Sequence, residues 1–169
     1  MQQNEIQLQI KALQPAHWDA VKAIYKSGIA TGNATFQTEA PDRWELWDAG
    51  HLKNSRLVAL LNDRVVGWVA LSPVSARECY VGVCELSIYI DIDFRGKGFG
   101  NLLMDAIVRS SEAAGVWCLY SSTFPENEAS IALQKKFGFR EIGYREKIAK
   151  QNGIWRDTVL LERRSKVVF

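Results

Sequence analysis

The segment Arg95-Gly96-Lys97-Gly98-Phe99-Gly100 sets three glycines within five positions, with two cations beside them. Glycines at that density let backbone N–H groups converge, and let a bulky anion approach without obstruction from Cβ atoms. Leu102, Leu103, Ala106 and Ile107 follow at helical spacing, so the loop opens a helix whose dipole and free amides face the same anion. Arg95 and Lys97 add formal charge. The chemistry expected of this segment is the binding of a pyrophosphate.

Two common phosphate loops do not fit. A Walker loop needs Lys-Ser/Thr after its last glycine, and Gly100 is followed by Asn101-Leu102. A dinucleotide fingerprint needs G-x-G-x-x-G opening the first crossover, and the spacing here is G-x-G-x-G, late in the chain. The remaining pattern is R-x-x-G-x-G, filled by Arg95, Gly98 and Gly100.

A second candidate lies just upstream. Glu85 is flanked by Cys84, Leu86, Ile88 and Ile90, and a carboxylate partly desolvated in such a run has a raised pKa, useful for a base. The alternative is a Glu that faces solvent from an edge strand. A third is Asn127, placed to cap a helix bearing Ile131, Leu133 and Phe137 that Gly138 closes.

The elements that must position these groups follow from periodicity and turn residues. Ile6, Leu8 and Ile10 alternate as in a half-buried strand. Trp18, Val21, Ile24, Tyr25 and Ile29 recur as a helix that Gly28 and Gly32 weaken at its end, and residues 31–40 read as a loop. Pro41 suits the first turn of a helix carrying Trp44 and Trp47. Leu57–Leu61 and Val65–Leu71 form a hairpin about Asn62-Asp63-Arg64, and a strand runs from Gly82 to Ile90. After the glycine loop and its helix, Gly115 is a stop signal and Val116–Phe124 a strand. Asn152-Gly153 joins strands Phe139–Ile148 and Ile154–Leu161 in a hairpin. The order β-α-α-β-β-β-α-β-α-β-β predicts an α/β (α+β) mixed sheet with helices on both faces, one domain over residues 1–169.

Composition narrows the function classes. The 169 residues are 47% hydrophobic and 24% charged, with a formal net charge of +2, typical of a soluble globular domain. That charge points to neither nucleic acid nor a membrane. Cys79, Cys84 and Cys118 form no CxxC pair, and with His17 and His51 alone no metal site is expected. No signal-peptide pattern or membrane-length apolar run is present, so a cytoplasmic location is expected.

The loop, its place after Glu85-Leu86-Ser87-Ile88-Tyr89-Ile90, and the segment Asn127-Glu128-Ala129-Ser130-Ile131-Ala132-Leu133 with Lys136-Phe137-Gly138-Phe139 resemble the GCN5-related N-acetyltransferases (GNAT). The resemblance covers nearly the whole chain and implies the GNAT fold, acetyl-CoA as co-substrate and transfer of its acetyl group to an amine. It implies Glu85 as the base and Ile88, Tyr89 and Ile90 as the strand holding the pantetheine. Residues 95 to 100 (Arg95, Gly96, Lys97, Gly98, Phe99, Gly100) would hold the pyrophosphate, with Ser130 and Lys136 also on the cofactor. Asn127 is implied near the pantetheine and thiolate, catalytic and cofactor-binding at once. The tyrosine that many members use to protonate the thiolate is here Gln134.

Within that superfamily, Thr35-Phe36-Gln37-Thr38, Val66-Gly67-Trp68, Phe124-Pro125-Glu126-Asn127 and Gly153-Ile154-Trp155-Arg156-Asp157 resemble the phosphinothricin and arsinothricin acetyltransferases. That group implies a small amino-acid-like substrate, a role in resistance to such compounds, and a homodimer. Where the group often carries Pro-Trp-Arg-x-Arg, this chain reads Pro73-Val74-Ser75-Ala76-Arg77, which leaves one arginine to pair with a carboxylate or phosphinate. Phe36, Arg77, Tyr80 and Glu85 are the expected substrate contacts. For the two aromatics core packing is the alternative, for Arg77 a solvated loop. Trp155 is a candidate for a dimer interface, and Trp44 and Trp47 for closing over the substrate. Two other functions remain open: acetylation of a peptide or protein N-terminus, and a non-catalytic acyl-CoA-binding module.

Overall fold

A computed structural model describes residues 7–169; Ile6 of the expected first strand lies outside them. Seven strands form one sheet in the order β1-β2-β3-β4-β5-β7-β6. They are β1 (Leu8–Ala12), β2 (Arg56–Leu61), β3 (Arg64–Pro73), β4 (Val83–Ile90), β5 (Cys118–Thr123), β6 (Arg140–Gln151) and β7 (Ile154–Arg164). Among the described residues only the β4–β5 pair is parallel; the other pairs are antiparallel. The expected mixed sheet with helices on both faces is what forms.

Alternation in the strands divides the core in two. On one face, α3 (Phe99–Ala113) and α4 (Glu128–Lys136) cover Val69, Leu71, Cys84, Leu86 and Leu119 with Leu103, Met104 and Ile107. On the other, α1 (Trp18–Ala30) and α2 (Trp44–Ala49) cover Val58, Trp68 and Ala70 with Trp18, Val21, Ile24 and Trp47. This second layer is an aromatic stack: Trp47 meets Trp68 edge-on, Trp68 stacks on Tyr89 at 4.8 Å, and Tyr25 packs against both Trp68 and Tyr89. Gly28 stays inside α1 because a Cβ there would lie 2.6 Å from Tyr89 Cδ1. Its weak helix propensity is offset by that close approach.

Several boundaries differ from expectation for local reasons. The helix with Trp44 and Trp47 begins at Trp44, not near Pro41, because Arg43 is extended (φ −127°, ψ 150°) and supplies the N-cap. The β2–β3 turn contracts to two residues, since Arg64 pairs with Leu61, and Asn62 and Asp63 take positive φ. Asn152 and Gly153 do the same between β6 and β7, as the hairpin signal required. β5 starts at Cys118 rather than Val116, because the amides of Trp117 and Cys118 both donate to the Gly82 carbonyl. Trp44 and Trp47 stack on each other and against Trp18; Trp47 is a buried core residue rather than part of a lid. Among the described residues no helix is long and apolar enough to cross a membrane.

Candidate active site

The central feature is a fork in the sheet. β4 and β5 pair through Val83–Cys118, Cys84–Leu119 and Glu85–Tyr120 and then part, while β4 continues to Ile90 beside β3 alone. From Leu86 onward the outer side of β4 has no strand beside it. Unpaired strand edges carry free N–H and C=O groups, which an extended amide-bearing chain can satisfy. A cleft of about 990 Å³ occupies the opening and reaches from the glycine loop, past Glu85, to the loop after α1. That is the upper end of ordinary small-molecule sites.

At one end of the cleft the chain leaves β4 through a short 3-10 turn (Ile92–Phe94). Gly96 and Gly98 then take φ of 73° and 89°, a region that side-chain-bearing residues enter at a cost. Gly98 is the N-cap of α3, whose first turn holds no acidic residue. Free amides and the positive end of the helix dipole are thus left without a competing carboxylate. Gly100 is helical, and its nearest constraint is Leu133, 3.2 Å from the place of a Cβ. Arg95, Gly96, Gly98, Phe99 and Gly100 line the cleft. The backbone therefore fits a diphosphate, and the open edge of β4 fits the amide chain attached to it.

Two expected cations are turned away. Lys97 Nζ donates to the Asp93 carbonyl at 2.8 Å and sits over the Phe94 ring. Lys136 Nζ donates to Asn101 Oδ1 at 2.8 Å. Neither lines the cleft, whereas Ser130, Asn127, Ile88, Tyr89 and Ile90 do. Tyr89 presents its ring to the α1 side, so any contact of this residue with a chain in the fork falls to its backbone.

Glu85 stands at the vertex of the fork, the last β4 residue paired with β5. Burial raises its carboxyl above the ordinary range. Its flanking apolar residues point the opposite way along the pleat, so the desolvation comes from the walls of the cleft.

The far end of the cleft is built by the loop after α1. Phe36 meets Phe124 edge-to-face at 4.7 Å, and both line the space. Arg156 fixes this loop: its guanidinium donates to the Gly32 carbonyl (2.8 Å), Asn33 Oδ1 (2.9 Å) and Gln151 Oε1 (2.6 Å), and lies 3.9 Å over the Phe124 ring. Gln151 Nε2 holds the Thr35 carbonyl, and Asn127 Nδ2 donates to the Asn33 carbonyl at 3.2 Å. Asn127 Oδ1 meanwhile accepts from Ser130 N at 3.3 Å, capping α4. Asn127 thus ties the glycine-loop side of the cleft to the Phe36 side. The Arg156 clamp was not among the expected site residues, since its acceptors on the loop after α1, Gly32 and Asn33, lie more than 120 positions away in sequence.

Other expected contacts fall elsewhere. Arg77 stacks over Tyr80 at 5.6 Å on an exposed turn, and neither lines the cleft. Gln134 does line it, almost wholly buried, with Nε2 donating to Thr123 Oγ1 and Ser130 Oγ. Its Oε1 has no partner among the described residues. The two buried thiols, Cys84 and Cys118, have pKa values raised by burial, which suits packing rather than reaction.

Comparison with known proteins places this geometry. The profile of the Acetyltransferase (GNAT) family matches residues 18–139. The chain is 35% identical over 150 residues to YwnH of Bacillus subtilis (strain 168), provisionally called a phosphinothricin acetyltransferase, with 86% of this chain and 91% of that one covered. It is 30% identical to the phosphinothricin N-acetyltransferase of Alcaligenes faecalis, over 85% and 76% of the two chains. The structure of a GNAT superfamily phosphinothricin acetyltransferase from Sinorhizobium meliloti, in complex with acetyl-CoA, superposes with a TM-score of 0.84 at 25% identity, over 96% of this chain and 95% of the other.

Proposed function

Since the chain belongs to the GNAT family of acetyltransferases and is an N-acetyltransferase, we propose that it moves the acetyl group of acetyl-CoA to the amino group of a small amino-acid-like substrate. Transfer is direct, with both substrates in the cleft. The observation that carries this reading is the position of Glu85 at the vertex of the fork. There one carboxylate adjoins both the open β4 edge and the Phe36 pocket.

Acetyl-CoA, held by the glycine-loop backbone and the outer edge of Leu86–Ile90, supplies the acetyl group as a thioester. The amine arrives mostly protonated at pH 7 and cannot attack in that form. Glu85 removes the proton, directly or through one water, and its raised pKa brings the base nearer to the working pH. The C–N bond then forms as the C–S bond breaks, and strand N–H groups of β4 stabilise charge on the carbonyl oxygen. The amide protons of Gln134 are not acidic enough to pass to a thiolate, so the sulfur is protonated from Glu85 or solvent. Asn127 uses Oδ1 on the α4 cap and one Nδ2 proton on the Asn33 carbonyl, and so positions the two walls.

The small-substrate reading is favoured over a peptide N-terminus because the Phe36 loop is strapped down over the cleft by Arg156 and Gln151. The relatives named for phosphinothricin acetylation support the same substrate class. A homodimer is part of the proposal. Tyr144 and Trp155 are both exposed on one face of the β6–β7 hairpin, a surface that a second copy would cover.

Thiol release from acetyl-CoA in the presence of phosphinothricin, methionine sulfoximine, methionine sulfone, arsinothricin and short peptides tests the reading. Turnover with one or more of the amino acids, with intersecting initial-rate lines, is expected. Turnover with peptides alone, or parallel lines, would overturn it.

A further inference from the structure

We propose that Arg145, with the hydroxyl of Thr158, reads an oxyanion carried by the amine substrate at a distance from its nitrogen. The inference rests on the acetyl-transfer reading above and adds what the far wall of the cleft selects.

Strand register puts the residues on one face. Glu85 pairs with Tyr120, Tyr120 with Glu162, and Arg145 with Thr158, four residues along β7 from Glu162. Paired residues share a face and alternate residues repeat it, so Glu85, Tyr120, Thr158 and Arg145 all project to the same side. All four line the cleft.

Arg145 is distinguished by what it lacks. The cleft lining contains two cations, Arg95 at the glycine loop and Arg145 at the opposite end. Neighbouring charges are committed elsewhere: Arg156 to Glu126 and the Gly32 loop, Lys147 to Glu146, Lys150 to the Trp155 ring. Among the described residues Arg145 has no ion pair and no side-chain hydrogen bond. Its strand is nevertheless held, because the β6 bulge between Arg145 and Ala149 is fixed by Asp157, which accepts from Lys147 N at 2.7 Å and from the Tyr144 hydroxyl. Facing the same space, Thr158 Oγ1 is buried and without a partner. A buried hydroxyl left unpaired costs stability unless something meets it. A forked cation and an unspent hydroxyl together match a carboxylate or a phosphinate.

Distance decides between the two ends of a substrate. Three strand spacings of about 4.8 Å, and four residues along the strands, separate the Cα atoms of Glu85 and Arg145. Side chains so placed reach for opposite ends of one molecule. The oxyanion therefore sits several bonds from the amine, and a simple alkylamine lacks the feature that Arg145 binds. Arg77, stacked on Tyr80 outside the cleft, does not share this work.

Three amines separate the sources of the charge: 3-aminopropyl(methyl)phosphinate has a distal oxyanion only, methionine sulfone an α-carboxylate only, and 3-(methylsulfonyl)propylamine neither. For Arg145→Gln, the preference in kcat/KM for the aminophosphinate over the neutral amine is expected to fall roughly 30-fold, the scale of a lost charge-assisted pair. Arg145→Lys should keep part of it. A loss of preference confined to methionine sulfone would assign Arg145 to the α-carboxylate and overturn the distal site. Unchanged preferences for both acids would overturn the proposal. Calorimetry with the aminophosphinate reads binding without turnover. If no amine is acetylated, tighter binding by the wild type than by Arg145→Gln sustains the oxyanion site while the acetyl-transfer reading fails. Equal binding, or none, refutes the site.

Discussion

The two ends of the cleft are built by different means. At the glycine-loop end, the surface offered is backbone: two glycines at positive φ, the first turn of α3, and the open edge of β4. Each of these comes from a contiguous segment. At the proposed amine end, the walls are side chains brought from the loop after α1, from β5 and from the β6–β7 hairpin, held by hydrogen bonds that span more than 100 residues of sequence. A backbone cradle fits a part that never changes; a side-chain pocket can be altered one residue at a time. Glu85 belongs to both.

The division can be broken from either side. The largest effect is expected from Gly98→Glu, which forces a side chain into φ 89° and sets a carboxylate where a phosphate would bind. Affinity for acetyl-CoA should fall by roughly 100-fold or more, with calorimetry as the measure and circular dichroism as the check on folding. Arg156→Ala should act at the other end only. Releasing Gly32, Asn33 and Gln151 loosens the Phe36 wall, so kcat/KM for the amine should drop about tenfold. The acetyl-CoA dissociation constant should stay within about twofold, and a larger change would join the two ends energetically through Asn127.

A smaller effect concerns stability. Burial raises the folded-state pKa of Glu85, so its contribution is complete below the unfolded value and is lost as pH rises through the raised one. Glu85→Gln has no such loss. Its Tm relative to wild type should therefore rise between pH 4 and pH 8, by roughly 2 °C, when followed by thermal melts. A difference independent of pH would mean that the carboxylate is solvated.

What was legible in sequence follows the same division. The glycine loop, the Glu85 strand and the Asn127 cap are local patterns whose physics is complete within a few residues, and each is found where its spacing put it. The Asn152-Gly153 turn obeyed its signal, and the turn expected over Asn62-Asp63-Arg64 formed with Arg64 drawn into β3. At the amine end Phe36 lines the cleft as expected, but most of the remaining wall depends on register and was not legible. Arg77 is the arginine nearest in sequence to Glu85, yet its turn swings it onto Tyr80. Arg145 enters the cleft through pairing with Thr158 across a bulged hairpin. Lys97 and Lys136 carried the right charge in the right segments, but each found a nearer acceptor in Asp93 and Asn101. Trp47 was ambiguous by type alone, and its place in the aromatic layer is set by Trp18 and Trp68.

The central claim is that one carboxylate, at the vertex where β4 and β5 part, serves chemistry and not cofactor binding. Its most direct test is Glu85→Gln, with acetyl-CoA affinity from calorimetry set beside the pH dependence of thiol release. The expected result is an acetyl-CoA affinity within about twofold of wild type. Turnover at neutral pH should fall by roughly 100-fold or more, with loss of the acidic limb that the wild-type profile shows above the ordinary carboxylate range. Wild-type turnover in the variant, or turnover and cofactor affinity lost together, would contradict it.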